Sequence, residues 1–362
     1  MQIPLTRTLG ALFALLVVTF VPLSGQNPVP APTITPTYET YLDSLRQQAG
    51  IPGLSAAIVK DGQIAWERGF GYQNVEARIP ATPDTPYPVL DLTQTLGATL
   101  VLQCLEQRLL DLGDAVSRFG VTFDDAPGAT VRQMLTHTSS TATGDTFKYD
   151  PERYSHLMQV VESCVPQPYR KTVAHRVLDR LAMKDSVPGR DLHDPSVVPE
   201  GTYDPAVLER YARVLDRMAI AYKVDKRNRP TRSDVVLAEG INAADGLIST
   251  VRDLARLDAA IDDGILLTPE TLEAAWSPGL SKDKTQLPMG LGWFVQSYRG
   301  EPVVWHFGLA PGGYSSLIVK LPAHRVTLIL LANSDGLTGP YQLQSGDVTR
   351  SPFAAVFLRL FT

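Results

Sequence analysis

The stretch HFGLAPGGYSSLIVKLP (residues 306–322) decides the fold, because it joins His306-Phe307-Gly308 to a run rich in aromatic and β-branched residues. Such residues favour strands, so the sequence predicts a strand over Gly313–Lys320. The runs Gly290–Tyr298 and Arg325–Asn333 have the same character and predict two more strands. The last third of the chain is therefore expected to form a sheet.

Two strand-like runs near the other end of the chain predict a hairpin. Asp61-Gly62 separates Leu54–Lys60 from Gln63–Phe70, and Asp-Gly between strands is a strong hairpin signal. Helices are predicted before and after the strands, over about Tyr38–Gln48 and Pro352–Phe361. The two ends of the chain are expected to share one antiparallel sheet flanked by the terminal helices.

The middle of the chain is mainly helical in pattern. The predicted helices are Thr93–Leu110, Val131–His137, Pro151–Cys164, Pro168–Met183, Pro205–Tyr222 and, with a Ser-Thr-x-x-Asp start typical of a helix cap, Ser249–Gly264. Residues 223–240 are polar and are expected to form a surface loop. The predicted α/β (α+β) domain covers 37–362. Its sheet lobe spans about 37–88 and 240–362, and its all-helical lobe spans about 89–239.

The N-terminus indicates export. Arg7 is the only charge before the apolar run Leu9–Leu23, and small residues follow it, as in a secretory signal. The predicted signal peptide is 1–25, followed by a Pro-rich linker over 26–36, and the run is short for a bilayer span. An uncleaved anchor is the alternative. The mature protein is expected in the periplasm or outside the cell, with no membrane span once the signal is removed.

Composition excludes one class of partner. The 362 residues carry a formal net charge of -5, and no basic run is interleaved with aromatic residues, which argues against nucleic-acid binding. The two cysteines, Cys104 and Cys164, lie in predicted helices. An exported protein allows a disulfide between them, and two buried free thiols are the alternative.

Six segments carry a resemblance that spans the chain from Gly50 to Asn333. They are GIPGLSAAIVKDGQI (50–64), GFGYQNVEARIPATPDTPY (69–87), VRQMLTHTSS (131–140), AADGLISTVRDLARL (243–257), GLGWFV (290–295) and HFGLAPGGYSSLIVKLP (306–322). Together, and in this order, they resemble the serine β-lactamase and penicillin-binding-protein family, particularly its class C-like and DD-peptidase-like branch. The resemblance implies a β-lactamase/DD-peptidase-like fold and three catalytic signatures.

The first signature, Ser-x-x-Lys at the start of the long helix, is changed in this chain. A spacing of three residues places hydroxyl and amine on one helix face, where the lysine helps to activate the serine. The family's serine position falls at Asp91 and its lysine position at Gln94. Thr93 offers a neighbouring hydroxyl but has no lysine three residues on. The one Ser-x-x-Lys elsewhere, at Ser281 and Lys284, is interpreted as chance.

The second and third signatures are partly retained. For the family's Tyr-x-Asn, Tyr149 remains and Pro151 stands at the asparagine position, where it supplies no side-chain amide. The third signature, His-x-Gly on a strand, is intact at His306 and Gly308. The resemblance implies that Gly308 and Leu309 line the ligand position, with the Leu309 N–H completing an oxyanion hole.

Asp91 has two interpretations. As a carboxylate nucleophile it would place a negative charge beside the developing oxyanion, which raises the barrier. As a structural residue, Asp91 with Gln94 three residues later reads as a capping box at a helix N-terminus. The second interpretation is preferred, and it makes the site a former catalytic site that has become structural.

The other candidate residues also have paired interpretations. Tyr149 either lines a pocket or is buried against backbone, and His306 either binds a carboxylate when protonated or is packed in its strand. Asp245 either adds negative charge to the cleft or caps a turn. His137 is interpreted as structural.

Two functions from different classes remain. One is an inactive family member whose cleft binds a cell-wall or peptide-like ligand, or whose surface binds a protein partner that the sequence does not identify. The other is an active serine hydrolase (β-lactamase, DD-peptidase, D-amino-acid amidase or esterase) that uses water or Thr93 as nucleophile. No cofactor is predicted, and the spacing of the six histidines predicts no metal site.

Overall fold

A seven-stranded antiparallel sheet forms the centre of the protein. The computed structural model describes residues 1, 36–140, 146–281 and 283–362, so the predicted signal peptide and linker lie almost entirely outside the described residues. The sheet order is β3-β2-β1-β12-β11-β10-β9. Its strands are β1 (Gly53–Lys60), β2 (Gln63–Asn74), β3 (Ile79–Pro80), β9 (Phe294–Tyr298), β10 (Glu301–Ala310), β11 (Tyr314–Leu321) and β12 (Val326–Ala332).

The hairpin predicted near the N-terminus is present. Asp61 and Gly62 both have positive φ, 50° and 74°, as a tight turn between right-twisted strands requires. β1 also pairs with β12, with Ile58 opposite Leu328. The prediction that the two ends of the chain share one antiparallel sheet is therefore confirmed.

Four strands close the chain rather than the three predicted. β10 was not counted among those strands, although it carries His306 and Gly308. Seven of its ten residues are buried, six of them in an unbroken run, so its sequence lacks the alternation that marks a half-exposed strand.

Helices cover both faces of the sheet. They are α1 (Pro36–Gln48), α2 (Thr93–Glu106), α3 (Val131–Leu135), α4 (Pro151–Ser155), α5 (Leu157–Cys164), α6 (Tyr169–Val173), α7 (Pro205–Asp216), α8 (Val251–Asp262), α9 (Pro269–Ala275) and α10 (Pro352–Phe361). Tyr38 of α1 and Phe357 of α10 share an apolar cluster with Leu317 of β11. Leu254 of α8 and Leu96 of α2 belong to a second cluster with Ile318, the next residue of β11. Neighbouring residues of β11 therefore pack into separate apolar cores on the two faces of the sheet. The predicted fold class is confirmed.

The middle of the chain departs from the prediction in detail. The pattern over Pro151–Cys164 is two helices, α4 and α5, which meet at His156. α2 ends at Glu106 instead of Leu110, and Arg108 follows it with φ of 57°. The segment predicted as a loop contains a two-stranded sheet, β6 (Tyr222–Val224) and β7 (Pro230–Arg232). A three-stranded sheet, β4 (Tyr87–Pro88), β8 (Leu247–Ser249) and β5 (Val187–Pro188), joins the predicted helical lobe to its flanking segments. The helical lobe is thus not entirely helical.

Within the described ranges, no helix is both long enough and apolar enough to cross a membrane.

Candidate functional site

Asp91 lies where α2 begins, directly beneath β10. It is the middle residue of a single 3-10 turn, Leu90–Leu92, that leads into the helix. Gly308 of β10 packs onto this turn: a β-carbon there would come within 2.5 Å of the Val89 carbonyl oxygen. The absence of a side chain at Gly308 lets the strand approach the turn closely. This contact sets the distance between the turn that contains Asp91 and β10.

The Asp91 carboxylate accepts a hydrogen bond from the strand. The Leu309 N–H donates to Asp91 Oδ2 at 3.2 Å. The backbone N–H of Asp91 and the hydroxyl of Tyr149 also stabilise the charged form of this carboxylate. The N–H group that the sequence analysis assigned to an oxyanion hole is therefore engaged by the protein's own carboxylate.

The ionisation of Asp91 is nonetheless unfavourable. Burial raises the pKa of its carboxyl group from 3.8 to about 7, and the nearby Asp245 charge adds to this shift. The three donors oppose the shift but do not cancel it. Among the described residues, no lysine or arginine side chain is hydrogen-bonded to Asp91, Gln94 or Tyr149, so no cation offsets the charge. Near pH 7 the site is therefore close to balanced between its neutral and charged forms.

A directed chain of hydrogen bonds leads to Asp91. The Asp150 N–H donates to His137 Nδ1 at 2.9 Å, so the ring proton is on Nε2, which lies 2.8 Å from Gln94 Oε1. The Gln94 amide then donates to the Tyr149 hydroxyl at 3.0 Å, and that hydroxyl donates to Asp91. Burial lowers the pKa of His137 to about 3, so the ring is neutral. Each donor in this chain has one acceptor, which fixes the orientation of the Gln94 amide.

The capping interpretation of Asp91 and Gln94 is wrong. Neither the 3-10 turn nor α2 has a side-chain cap hydrogen bond. Leu92 occupies the N-cap position of α2, one residue after Asp91, and the Asp91 carboxylate accepts instead from the Leu309 N–H of β10. Gln94 is completely buried, and its side-chain amide accepts a hydrogen bond from His137 and donates one to Tyr149.

The structure gives Asp245 both of its predicted roles. Its carboxylate accepts from the Gly246 N–H at 2.6 Å, which closes a local turn. Its charge also raises the pKa of Asp91, and its own pKa is raised by burial. Asp245 is therefore a turn residue that adds negative potential to the site.

His306 is a neighbour of the site rather than a hydrogen-bonded member of it. Its ring centroid lies 6.4 Å from that of Tyr149, and the residue is completely buried. Nδ1 contacts backbone atoms of Phe307, whereas Nε2 has no partner among the described residues. Burial lowers the pKa of His306 to about 4, so the ring is neutral at pH 7 and the predicted protonated anion binder does not form there.

Pro151 opens α4 as its first residue, next to the cap residue Asp150. Proline suits that position because its missing N–H would have no partner in the helix. The Asp150 side chain caps α4 by accepting from the Arg153 N–H at 3.1 Å. Pro151 therefore stabilises the start of the helix that follows Tyr149.

His137 is the site residue that the sequence analysis missed. It was interpreted as structural because LTHTSS matches a stretch that is structural in the family that the chain resembles. Its ring lies 4.6 Å from that of Tyr149 and 5.0 Å from that of Tyr154, and its φ of 53° lies in the left-handed region. A non-glycine residue in this region is uncommon and marks a constrained position.

An antiparallel sheet between two helical layers, with a helix that begins beneath a strand N–H, defines an α/β protein with the fold of β-lactamases and DD-peptidases. The chain belongs to the β-lactamase family: the model of the family described as Beta-lactamase matches residues 39–346.

Individual relatives are distant. The chain is similar to the putative penicillin-binding protein PbpX of Bacillus subtilis (strain 168), with 24% identity over 295 residues, 75% of this chain and 65% of that protein. Protein flp of Staphylococcus aureus (strain MW2) is 24% identical over 182 residues, 40% of this chain and 36% of that protein. The chain thus spans less than two thirds of these relatives.

Two solved structures show the same fold. An octameric penicillin-binding protein homologue from Pyrococcus abyssi has a TM-score of 0.71 and 22% identity, with 90% of this chain and 77% of that chain covered. The D-amino acid amidase from Ochrobactrum anthropi SV3 has a TM-score of 0.66 and 18% identity, covering 89% and 99%. At these identities the likeness concerns the fold.

Proposed function

We propose that this chain is an exported, catalytically inactive member of the β-lactamase family that binds a cell-wall or peptide-like ligand. The observation that carries the proposal is the bond from the Leu309 N–H to Asp91 Oδ2. Acyl transfer needs that N–H free to stabilise a new oxyanion. A resident carboxylate at this donor both uses it and repels the charge that would develop.

The residue at 94 supports the same proposal. In the family a lysine activates the nucleophile, whereas Gln94 is a neutral amide with both ends engaged. It can hold Tyr149 in place but cannot accept a proton at neutral pH. The hydrogen-bond chain therefore fits a rigid recognition surface better than a proton-transfer site.

Thr93 gives little support to a substitute nucleophile. The residue is completely buried, and its hydroxyl accepts a bond of 3.4 Å from the Leu247 N–H. An attacking hydroxyl must be accessible and lie next to a base. Thr93 meets neither requirement.

The ligand class follows from the family and from the exposed part of the site. Asp91, Tyr149 and Leu309 are each partly accessible, whereas Gln94 and His306 behind them are buried. They present a carboxylate, a phenol and a strand edge, which suit a peptide with amide and amine groups. An exported protein of this family would meet such peptides in the cell wall.

Covalent labelling tests inactivity. We expect the protein to remain unlabelled by a fluorescent penicillin and by a fluorophosphonate, whereas a triple variant with Asp91→Ser, Gln94→Lys and Pro151→Asn becomes labelled. A single variant, Asp91→Ser, is the matched control and should remain unlabelled because it lacks the lysine at position 94. Labelling of the unmodified protein would refute the proposal.

Ligand binding is tested separately, by calorimetry with a cell-wall peptide that ends in two D-alanine residues. We expect binding to the unmodified protein and a loss for Tyr149→Phe, which removes the hydroxyl but keeps the ring. If the peptide gives the same heat when it is injected into protein and into buffer alone, it is not a ligand of this protein.

A second candidate function rests on the pKa of Asp91. A carboxyl group with a pKa of about 7 is poised to act as a general base at neutral pH, and water would then be the nucleophile. Hydrolysis of an ester or amide that disappears in Asp91→Asn and rises with pH through about 7 would favour this candidate.

A further inference from the structure

Cys104 and Cys164 lie on two helices that pack together in the helical lobe, although they are far apart in sequence. Cys104 lies near the end of α2, and Cys164 is the last residue of α5. The two helices pack against each other. Cys104 belongs to the main apolar cluster, and Cys164 packs against that cluster. The chain contains no other cysteine.

The structure holds both residues as free thiols, and Cys164 is near enough to affect the ionisation of Cys104. Burial raises the pKa of the Cys104 thiol, the Cys164 thiol raises it further, and the Arg176 charge opposes both effects. A disulfide needs its two Cα atoms within about 7 Å of each other, and the packing of α2 against α5 favours such an approach.

We infer that Cys104 and Cys164 are an oxidation site that forms a disulfide between α2 and α5. The two thiols have different access to solvent: Cys104 is buried and Cys164 is partly exposed. Exchange therefore starts at Cys164, whose thiolate attacks the disulfide of an external oxidant and releases one oxidant thiol.

The second step closes the crosslink. Cys104 loses its proton and attacks the Cys164 sulfur of the mixed disulfide, and the second oxidant thiol leaves. Overall, two protein thiols lose two protons and two electrons, and one oxidant disulfide gains them. Burial disfavours the Cys104 thiolate that this step needs, and the Arg176 charge opposes only part of that effect, so we expect the second step to be the slower one.

The crosslink would strengthen a connection that reaches the site. α2 begins next to Asp91 and contains Gln94, and α5 follows the short helix that contains Tyr154. The Tyr154 hydroxyl already donates to the Gln94 carbonyl at 3.1 Å. Oxidation would add a covalent link from the other end of α2 to α5, the helix that directly follows α4.

The test uses the full chain purified in reduced form and then treated with oxidised glutathione. We expect both thiols to disappear from a thiol titration in denaturant, the intact mass to fall by two hydrogens, and no glutathione to remain attached. The oxidised protein should melt about 5 °C above the same protein after reduction, since the bond closes a loop of about 60 residues.

Two variants serve as matched controls. Cys104→Ala should retain one glutathione on Cys164, because the resolving thiol is missing, and Cys164→Ala should react slowly because Cys104 is buried. A wild-type protein that keeps a stable glutathione adduct, or keeps both thiols, would overturn the inference. None of these outcomes depends on what the cleft binds.

Discussion

Replacing Asp91 by asparagine should make the protein more stable at alkaline pH and remove much of its acid-to-neutral pH dependence. The substitution keeps the size of the side chain and an oxygen for the Leu309 N–H. It removes only the ability to ionise. The effect on folding therefore reports the electrostatic cost of a charge at this position.

The magnitude follows from the pKa of Asp91. An unfolded aspartate titrates near 3.8, whereas burial raises the pKa in the folded protein to about 7. Between these values the folded state holds a proton that the unfolded state has lost, so stability falls as pH rises. Each pH unit in this window costs about 1.4 kcal/mol, on the order of 4 kcal/mol in all.

Urea unfolding, followed by tryptophan fluorescence at pH values from 4 to 8, provides the assay. Near pH 4 the variant and the wild type should differ by less than about 1 kcal/mol, because both side chains are neutral. At pH 8 the free energy of unfolding of Asp91→Asn should be higher by several kcal/mol. Titrating groups that do not interact with Asp91 cancel in the difference between the two proteins, whereas the coupling of Asp91 to Asp245 remains part of the measured effect.

Asp114→Asn is the control with the opposite sign. Asp114 is partly buried at the surface, and its pKa is lowered chiefly by the hydrogen bond from the Asp111 N–H. Its removal should reduce stability at neutral pH and have little effect in acid. A difference between Asp91→Asn and wild type that stays constant from pH 4 to 8 would contradict the reasoning about Asp91.

Two further substitutions test the packing around the site, and a third tests the buried ion pair between Lys320 of β11 and two aspartates of α8, each by urea unfolding. His137→Ala removes the donor to the buried Gln94 amide and should cost about 1–3 kcal/mol; a loss below about 0.5 kcal/mol would show that water replaces the ring. Gly308→Ala places a methyl group 2.5 Å from a carbonyl oxygen and should destabilise by about 1–3 kcal/mol or more, whereas Gly128→Ala, with open space around it, should be nearly neutral. Lys320→Met leaves two carboxylates without their buried cation and should cost about 3–5 kcal/mol; an unchanged midpoint would mean that those carboxyl groups are protonated in the folded protein.

Local signals in the sequence were sufficient for much of the fold. The Asp61-Gly62 turn predicted the first hairpin, and its two positive φ angles explain why. Thr250 was predicted to cap α8, and its side chain accepts from the Asp253 N–H at 3.1 Å. β10 was missed as a strand of the terminal sheet because a strand covered on both faces has no polar alternation.

The site was predictable in its members but not in its connections. Asp91, Gln94 and Tyr149 were named from the resemblance, and the structure joins them by hydrogen bonds. Which partner Gln94 would choose was not predictable. A capping box needs only local spacing, whereas the bond to His137 depends on a loop 43 residues further along the chain.

The two changes at 91 and 94 have to be considered together. A lysine at 94 would neutralise Asp91, but Gln94 is neutral, so the carboxylate relies on N–H and O–H donors alone and its pKa stays near 7.

A ligand carbonyl that accepts from the Leu309 N–H must displace the Asp91 carboxylate. Its binding should strengthen in acid, where protonation of Asp91 weakens the hydrogen bond between Leu309 and Asp91. A ligand ammonium group should instead bind the charged form, strengthen as pH rises through about 7 and release a proton from Asp91 as it binds. Calorimetry at pH 6 and pH 8, in two buffers of different ionisation heat, distinguishes the two modes, and an affinity that is the same at both pH values would mean that the ligand does not contact Asp91.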